Sequence, residues 1–240
     1  MTGESTTLLS VRADAQLEVA PDEAALHCTA GAIEEDKAAA LRMLARRVDA
    51  ATGALRDLGG VLREAGDQRR ALAWLVGSMR TEPETYWDER QRLDVRTGRV
   101  SASAALLVVA RDFGLLDRVG AALAGHEHVH LHYVDWLVDH DNPGWKRVRA
   151  AAIDAALVKA RDYAAALGGG LVRTEHVADV GLLGDRGGEP GYGGRAAAKM
   201  ALAAPPGAGG EEDGPSLDPV PQELHASIEA RFTATVEPLS

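Results

Sequence analysis

Four histidines alternate with other residues in one short stretch, which reads His126-Glu127-His128-Val129-His130-Leu131-His132. If this stretch is a β-strand, every second side chain lies on the same face, and neighbours on that face are roughly 7 Å apart. Neutral imidazole is a ligand for zinc and for copper. The pattern therefore indicates a candidate metal site formed by His126, His128, His130 and His132.

One extended strand cannot surround a tetrahedral ion, so a second element would have to supply a ligand. His27 and His176 lie on other predicted strands and are the candidates for this role. Two alternatives stay open. The favoured one is a solvated sheet face on which histidine happens to be common. The other is a pH-responsive strip, because close imidazoles resist joint protonation and titrate between about pH 5 and 7.

Two aromatic residues, Tyr86 and Trp87, lie inside a polar segment that runs from Glu82 to Gln91. Exposed aromatic side chains on a projecting arm commonly anchor another subunit or a partner protein. The alternative is that the arm folds back and covers a sheet edge with these rings. Tyr86 and Trp87 are therefore the candidate interaction residues.

Known catalytic motifs are missing from the sequence. It contains no G-x-S-x-G elbow, no P-loop and no H-E-x-x-H pair. The glycines near Gly191 do not follow a strand, so they do not form a dinucleotide fingerprint. The one cysteine, Cys28, excludes an internal disulfide and is expected to be a small core residue. We expect a non-enzymatic protein without a cofactor, unless the histidines bind zinc or copper.

The composition is that of a soluble globular protein, with 46% hydrophobic and 26% charged residues among 240. A formal net charge of −10 argues against nucleic acid or an anionic membrane as the main partner. The first residues show no basic region followed by an apolar run, and no stretch is apolar for long enough to span a bilayer. We therefore expect a cytoplasmic protein.

The hydrophobic pattern along the chain predicts strands separated by helices. A helical stripe runs from Glu34 to Leu58, and a shorter one from Phe113 to Leu123. A hairpin is predicted to turn at Thr97-Gly98. The predicted strands are 8–20, Glu23–Ile33, Ala71–Met79, Val100–Ala110, Val129–Asp139, Leu171–Leu183 and His225–Val236.

A second long helix is predicted between Asp141 and Gly170. Asp141 or Asn142 can cap its start, Pro143 suits its first turn, and Gly168 to Gly170 end it. Because most of its inward residues are alanine, we expect this helix to lie close against a sheet. The predicted inward residues are Ile153, Ala156, Leu157, Ala160, Ala164 and Leu167.

Composition changes sharply between residues 184 and 221, where Gly, Pro, Ala and acidic residues dominate. Such a segment has too little apolar content to pack, so we expect a flexible insertion, with a short helix at most near 195–204. A strand follows it, so the insertion interrupts a domain and does not separate two. The sequence predicts one domain over 8–238, preceded by disordered residues 1–7.

Taken in order, these elements resemble the SIMPL domain family, which is also known from a periplasmic immunogenic, outer-membrane-associated protein. The resemblance depends on four stretches. They are Val19-Ala20-Pro21-Asp22-Glu23-Ala24, the spaced alanines Ala152, Ala156, Ala160 and Ala164 with Leu167-Gly168 after them, Val134-Asp135-Trp136 with Asp139, and the last strand, Ile228 to Val236.

The resemblance implies an α+β domain with an antiparallel sheet and helices over it, in a family whose members assemble into larger rings. It implies no catalytic residues. Members are commonly exported, whereas this sequence shows no signal. The resemblance and the predicted order of strands and helices together lead us to expect a mainly antiparallel sheet with two long helices and one short helix packed over it. The expected function is self-association into a homo-oligomer or binding to another protein, and the alternative is metal binding.

Overall fold

A computed structural model describes residues 5–64, 70–183 and 217–237. Its elements confirm the α+β class. The strands are β1 (Ser5–Val19), β2 (Glu23–Glu34), β3 (Val61–Leu62), β4 (Leu72–Asp88), β5 (Leu93–Ala110), β6 (Val129–Leu137), β7 (Leu171–Asp179) and β8 (Gln222–Val236). The helices are α1 (Lys37–Asp57), α2 (Leu116–Ala124) and α3 (Pro143–Ala166), and one 3₁₀ turn covers Phe113–Leu115.

The described residues divide into two compact units, which are treated separately below. The central unit contains residues 20–64, 70–140 and 217–222. The terminal unit contains residues 5–19, 141–183 and 223–237, so it joins both ends of the described chain. The single domain predicted over 8–238 stays a prediction.

The central unit is built on a five-stranded sheet with the order β3-β4-β5-β2-β6. Its pairings are antiparallel, except that the short β3 runs parallel to β4. Alternate residues of β2, including Leu26, Cys28 and Ala30, are buried in the core as predicted. The core is completed by α1 and α2, which contribute Leu44, Leu55 and Val119 among others.

Helix α1 forms where the hydrophobic stripe predicts it. The Asp36 side chain accepts a hydrogen bond from the Ala39 N–H at 2.7 Å, which satisfies one of the unpaired donors of the first turn. Gly59, with φ of 84°, follows the helix and closes it in the left-handed conformation that glycine adopts without strain. Helix α1 and the turn before β6 together line a surface pocket.

The terminal unit is a three-stranded sheet with the order β1-β8-β7, and α3 packs on it. The Asn142 side chain caps α3 by accepting from the Gly144 N–H at 2.7 Å, and Pro143 occupies the first turn as predicted. A Cβ at Gly144 would lie 2.7 Å from a Val19 side-chain carbon, so the helix begins in close contact with β1.

The buried face of α3 continues the same four-residue spacing from Gly144 and Val148 through four alanines, Ala152, Ala156, Ala160 and Ala164. Ile153 is 38% exposed and Leu167 is 44% exposed, so the prediction that these two face the core is wrong. The alanine row allows the helix backbone to approach the sheet, and this approach turns the neighbouring larger side chains outward. Phe232 and Ile228 of β8 fill the space beneath the alanines.

The hairpin of β4 and β5 turns at residues 89–92, and not at Thr97-Gly98 as predicted. Asp88 holds the turn, because its carboxylate accepts from the Arg90 and Gln91 N–H groups at 2.8 and 3.1 Å. Gly98, with φ of 87°, lies inside β5 near a register shift between Pro83 and Thr85. A residue with positive φ occurs both in β-bulges and in turns, and Gly98 belongs to a bulge.

The structure describes only part of two predicted segments, the disordered start over residues 1–7 and the insertion over residues 184–221. Residues 5–7 belong to β1, so that part of the predicted disordered start is wrong, and residues 1–4 lie outside the described chain. Leu217, at the end of the predicted insertion, packs against the central core and against Gly120. Most of the insertion, with the helix predicted near 195–204, lies outside the described residues.

Candidate functional site

The β4–β5 hairpin extends beyond the rest of the central sheet. Strand β5 pairs with β2 between Val100 and Ala110, whereas its pairing with β4 continues to Leu93 opposite Asp88. We call residues 84–99 the ribbon. Within the described parts of the chain, the strands of the ribbon pair with each other and with no third strand.

The predicted interaction residues lie near the end of the ribbon, and their rings are exposed by 53% for Tyr86 and 58% for Trp87. Consecutive residues of a strand point to opposite faces, so each face of the ribbon carries one aromatic ring. Tyr86 is opposite Val95 and shares its face with Leu93, which is also exposed. Both rings are therefore more than half exposed, and neither is buried against the described residues.

The base of the ribbon is held by polar contacts around Glu84. Thr97 Oγ1 donates to Glu84 Oε2 at 2.6 Å, and Arg99 lies 4.0 Å from the same carboxylate oxygen. Arg99 Nη2 also donates to the Ile33 carbonyl at 3.0 Å, which joins the ribbon to the end of β2. Two-stranded hairpins are marginal on their own, so these contacts help to keep the aromatic rings extended from the sheet.

The four histidines do not share one strand, so the condition for one alternating histidine face is not met, whereas the strand predicted from Val129 does begin at that residue. Strand β6 begins at Val129, and His126 and His128 lie in the turn before it. Gly125 follows α2, the His126 N–H donates to the Leu123 carbonyl, and the Val129 N–H donates to the His126 carbonyl. These backbone bonds form a turn at residues 126–128, ahead of the strand.

His130 and His132 do lie on β6, next to β2. The pairing shifts register there, because His27 is opposite Tyr133 and Cys28 is opposite Leu131. His132 Nε2 is 2.9 Å from Thr29 Oγ1. His27 stacks on Tyr133 at 4.4 Å between ring centroids, and its Nε2 lies 3.1 Å from Asp135 Oδ2.

The structure therefore brings His27 next to the β6 histidines, whereas His176 lies on β7 in the terminal unit. No group of three or more His, Cys, Asp or Glu side chains within the described residues is arranged to hold a metal ion. Binding of zinc or copper stays a prediction, and no contact favours it.

A charge network that sequence reasoning missed lies at one end of the central sheet. Glu23 is only 5% exposed, and its carboxylate lies 2.9 Å from Arg111 and 3.6 Å from Arg63. Arg111 also binds Asp139 through two hydrogen bonds, of 2.7 and 3.0 Å. Asp22 accepts from the Asp139 N–H at 2.8 Å.

Arg111 directly follows β5. It connects Glu23, at the start of β2, with Asp139, which follows β6. The hydrogen bond to Asp139 is the main cause that raises the pKa of Arg111, and the charges of Asp139 and Glu23 act in the same direction. Asp22, Glu23 and Asp139 all lie in stretches on which the family resemblance depends. Each carboxylate has a cationic or backbone partner, so the network ties the start of β2 to the residues after β5 and β6.

Cys28 is a core residue, as predicted. Its side chain is 3% exposed, and burial raises the pKa of its thiol to about 11. A thiol in this state is a poor nucleophile, since the reactive form is the thiolate.

The described residues contain no helix with both the length and the apolarity needed to cross a bilayer. In comparisons with known proteins, the family model described as SIMPL, protein of unknown function (DUF541), matches residues 9–232. That range includes residues of both units. The comparison with curated proteins found no match.

Proposed function

Because this chain belongs to the SIMPL family, whose function is unknown, we propose a role that starts from its surface: self-association, in which the ribbon binds a second copy of the chain. In this proposal the protein is not an enzyme and needs no cofactor. The supporting observation is that an aromatic ring is exposed on each face of the ribbon. Tyrosine and tryptophan are the residues that contribute most often to the centres of protein interfaces.

The backbone of the ribbon supports the same role. A strand with an unpaired edge presents N–H and C=O groups that can bond to a strand of another chain. Both ribbon strands have such edges within the described residues. Pairing between chains would add main-chain hydrogen bonds to the burial of the two rings.

The charge of the ribbon favours a second copy as the occupant. Its four arginines, Arg90, Arg92, Arg96 and Arg99, balance four carboxylates, Glu84, Asp88, Glu89 and Asp94. The whole chain carries −10, so two copies repel each other at long range. A contact through the ribbon brings together the segment in which this repulsion is locally absent and in which arginines and carboxylates can pair.

Light scattering on a sizing column tests this proposal. The wild-type chain is expected to form a defined oligomer whose mass is unchanged by a chelator. The double variant Tyr86→Ala, Trp87→Ala is expected to have a lower mass and an unchanged circular dichroism spectrum. Tyr163→Ala is the matched control, because Tyr163 is an exposed aromatic residue of α3 and not part of the ribbon.

Three results would contradict the proposal: a monomeric wild-type chain, a double variant with the wild-type mass, or an equal loss of mass in the Tyr163 control. An oligomer that dissociates in the chelator would instead support metal binding by the histidines.

A further inference from the structure

The central unit has an open surface pocket of about 160 Å³ between α1 and the turn that precedes β6. Helix α1 contributes Arg46, Arg47 and Ala50 to its lining, and the turn contributes His126, Glu127 and His128. Since a water molecule takes about 30 Å³, the space is that of roughly five waters. This is enough for a small ion and too little for a nucleotide.

The lining is rich in groups that donate hydrogen bonds to anions. Two arginines and two histidines are among the lining residues, together with Ala50 and Val129, against one carboxylate, Glu127. Glu127 is 89% exposed, and the nearest oxygen of its carboxylate is 3.8 Å from His128 Nε2. The local balance is thus positive in a chain whose formal net charge is −10. We propose that this pocket binds a tetrahedral oxyanion of the phosphate type.

Two hydrogen bonds hold the two sides of the pocket in place. Arg47 Nη1 donates to the Gly31 carbonyl at 2.6 Å, and the Gly31 N–H donates to the His128 carbonyl at 2.9 Å. Gly31 of β2 therefore ties α1 to the turn. An arginine has five N–H donors in a planar fork, so Arg47 keeps donors for a ligand after it binds Gly31.

The same lining is unsuitable for a metal ion. A divalent cation would lie beside two guanidinium groups that always carry charge, and it would have only one carboxylate to offset them. An oxyanion reverses these signs, since arginine pairs with phosphate through parallel N–H to oxygen bonds. His126 and His128, predicted as metal ligands, are here assigned as donors to an anion.

Titration of ¹⁵N-labelled full-length protein with inorganic phosphate, followed by amide chemical shifts, tests this site. Saturable shifts are expected at Arg46, Arg47 and residues 126–129. Arg46→Gln is expected to weaken binding by about tenfold, the effect of losing one charge-assisted hydrogen bond. Arg42→Gln is the matched control: it removes the same charge one turn earlier on α1, outside the pocket lining.

Further ligands separate the sources of the phosphate group. Tighter binding of O-phosphoserine than of inorganic phosphate would support the site and indicate a phosphorylated molecule as its ligand; equal or weaker binding would support the free ion. The proposal is overturned if phosphate causes no saturable shift, if the shifts lie elsewhere, or if Arg42→Gln and Arg46→Gln weaken binding equally. Zinc that shifts residues 126–129 while phosphate does not would also overturn it.

Discussion

At the scale of single residues, Arg111 joins two carboxylates. It binds the buried Glu23 and the partly exposed Asp139 at the same time. An arginine suits this position because its planar group can bond to two carboxylates in fixed directions. Removing one partner of a buried ion pair leaves the other without compensation, and this loss costs more than the pair contributes when intact.

Arg111→Met is expected to lower the free energy of unfolding by about 3 kcal/mol, because Glu23 would keep only the longer contact to Arg63. Urea denaturation followed by circular dichroism measures this change. Arg90→Met in the exposed hairpin turn is the control and is expected to change stability by less than about 0.5 kcal/mol. Equal losses in the two variants would mean that the ion pairs of Arg111 contribute no more to stability than an exposed arginine in a turn does.

Cys28 makes the stability of the fold sensitive to alkaline pH. The folded thiol has a raised pKa of about 11, whereas its ordinary value is 9.0. Between these values the unfolded chain loses the thiol proton and the folded chain keeps it, so the contribution of Cys28 to stability falls as pH rises.

The unfolding free energy of wild type is therefore expected to fall more steeply between pH 9.0 and about 11 than that of Cys28→Ala. Parallel urea titrations of the two proteins across this range measure the difference. Identical pH profiles would show that the thiol titrates alike in the folded and unfolded states.

At the scale of elements, hydrophobic patterns that repeat over many residues predicted the structure better than single residues such as Gly98 did. The stripe of α1 and the alternating face of β2 were predicted correctly, because many residues repeat the same period. Gly98 misled the prediction of the hairpin turn, since a positive φ is needed in a bulge and in a turn alike. The segment of the ribbon around Tyr86 and Trp87 was predicted as a polar hairpin arm. The length by which it extends beyond the sheet was not predicted, because it depends on where β2 stops pairing with β5.

The candidate sites show the same limit. The alternating histidines suggested one shared face only if residues 126–132 formed a strand, and the backbone hydrogen bonds that turn residues 126–128 leave no mark in the pattern of residue types. The network around Arg111 joins residues far apart in the chain, so no local pattern indicates it. The pocket depends on Gly31 bridging two elements, which again requires the folded chain.

The face of α3 gives a direct comparison between sequence pattern and structure. Ala156→Leu is expected to lower stability by about 1–3 kcal/mol, because the added atoms have no space against β1 and β8. Ile153→Ala is expected to cost less than about 1 kcal/mol, since Ile153 is 38% exposed. Urea denaturation of both variants measures the two effects, and a larger loss for Ile153→Ala would mean that the predicted face was correct.

At the scale of the whole molecule, the central unit is nearly continuous in sequence, whereas the terminal unit is assembled from both ends of the described chain. In its sheet, β8 lies between β1 and β7. The family match from 9 to 232 includes the outer strands of this sheet as well as its middle.

This strand order also determines what happens while the protein is being made. Strand β1 ends at Val19 and its neighbour β8 begins at Gln222, so β1 leaves the ribosome long before the strand that will pair with it has been synthesised. Most of the central unit is complete by residue 140 and can fold in the meantime. During that interval the nascent chain carries β1 without its partner strand, and unpaired strand edges are where newly made chains aggregate.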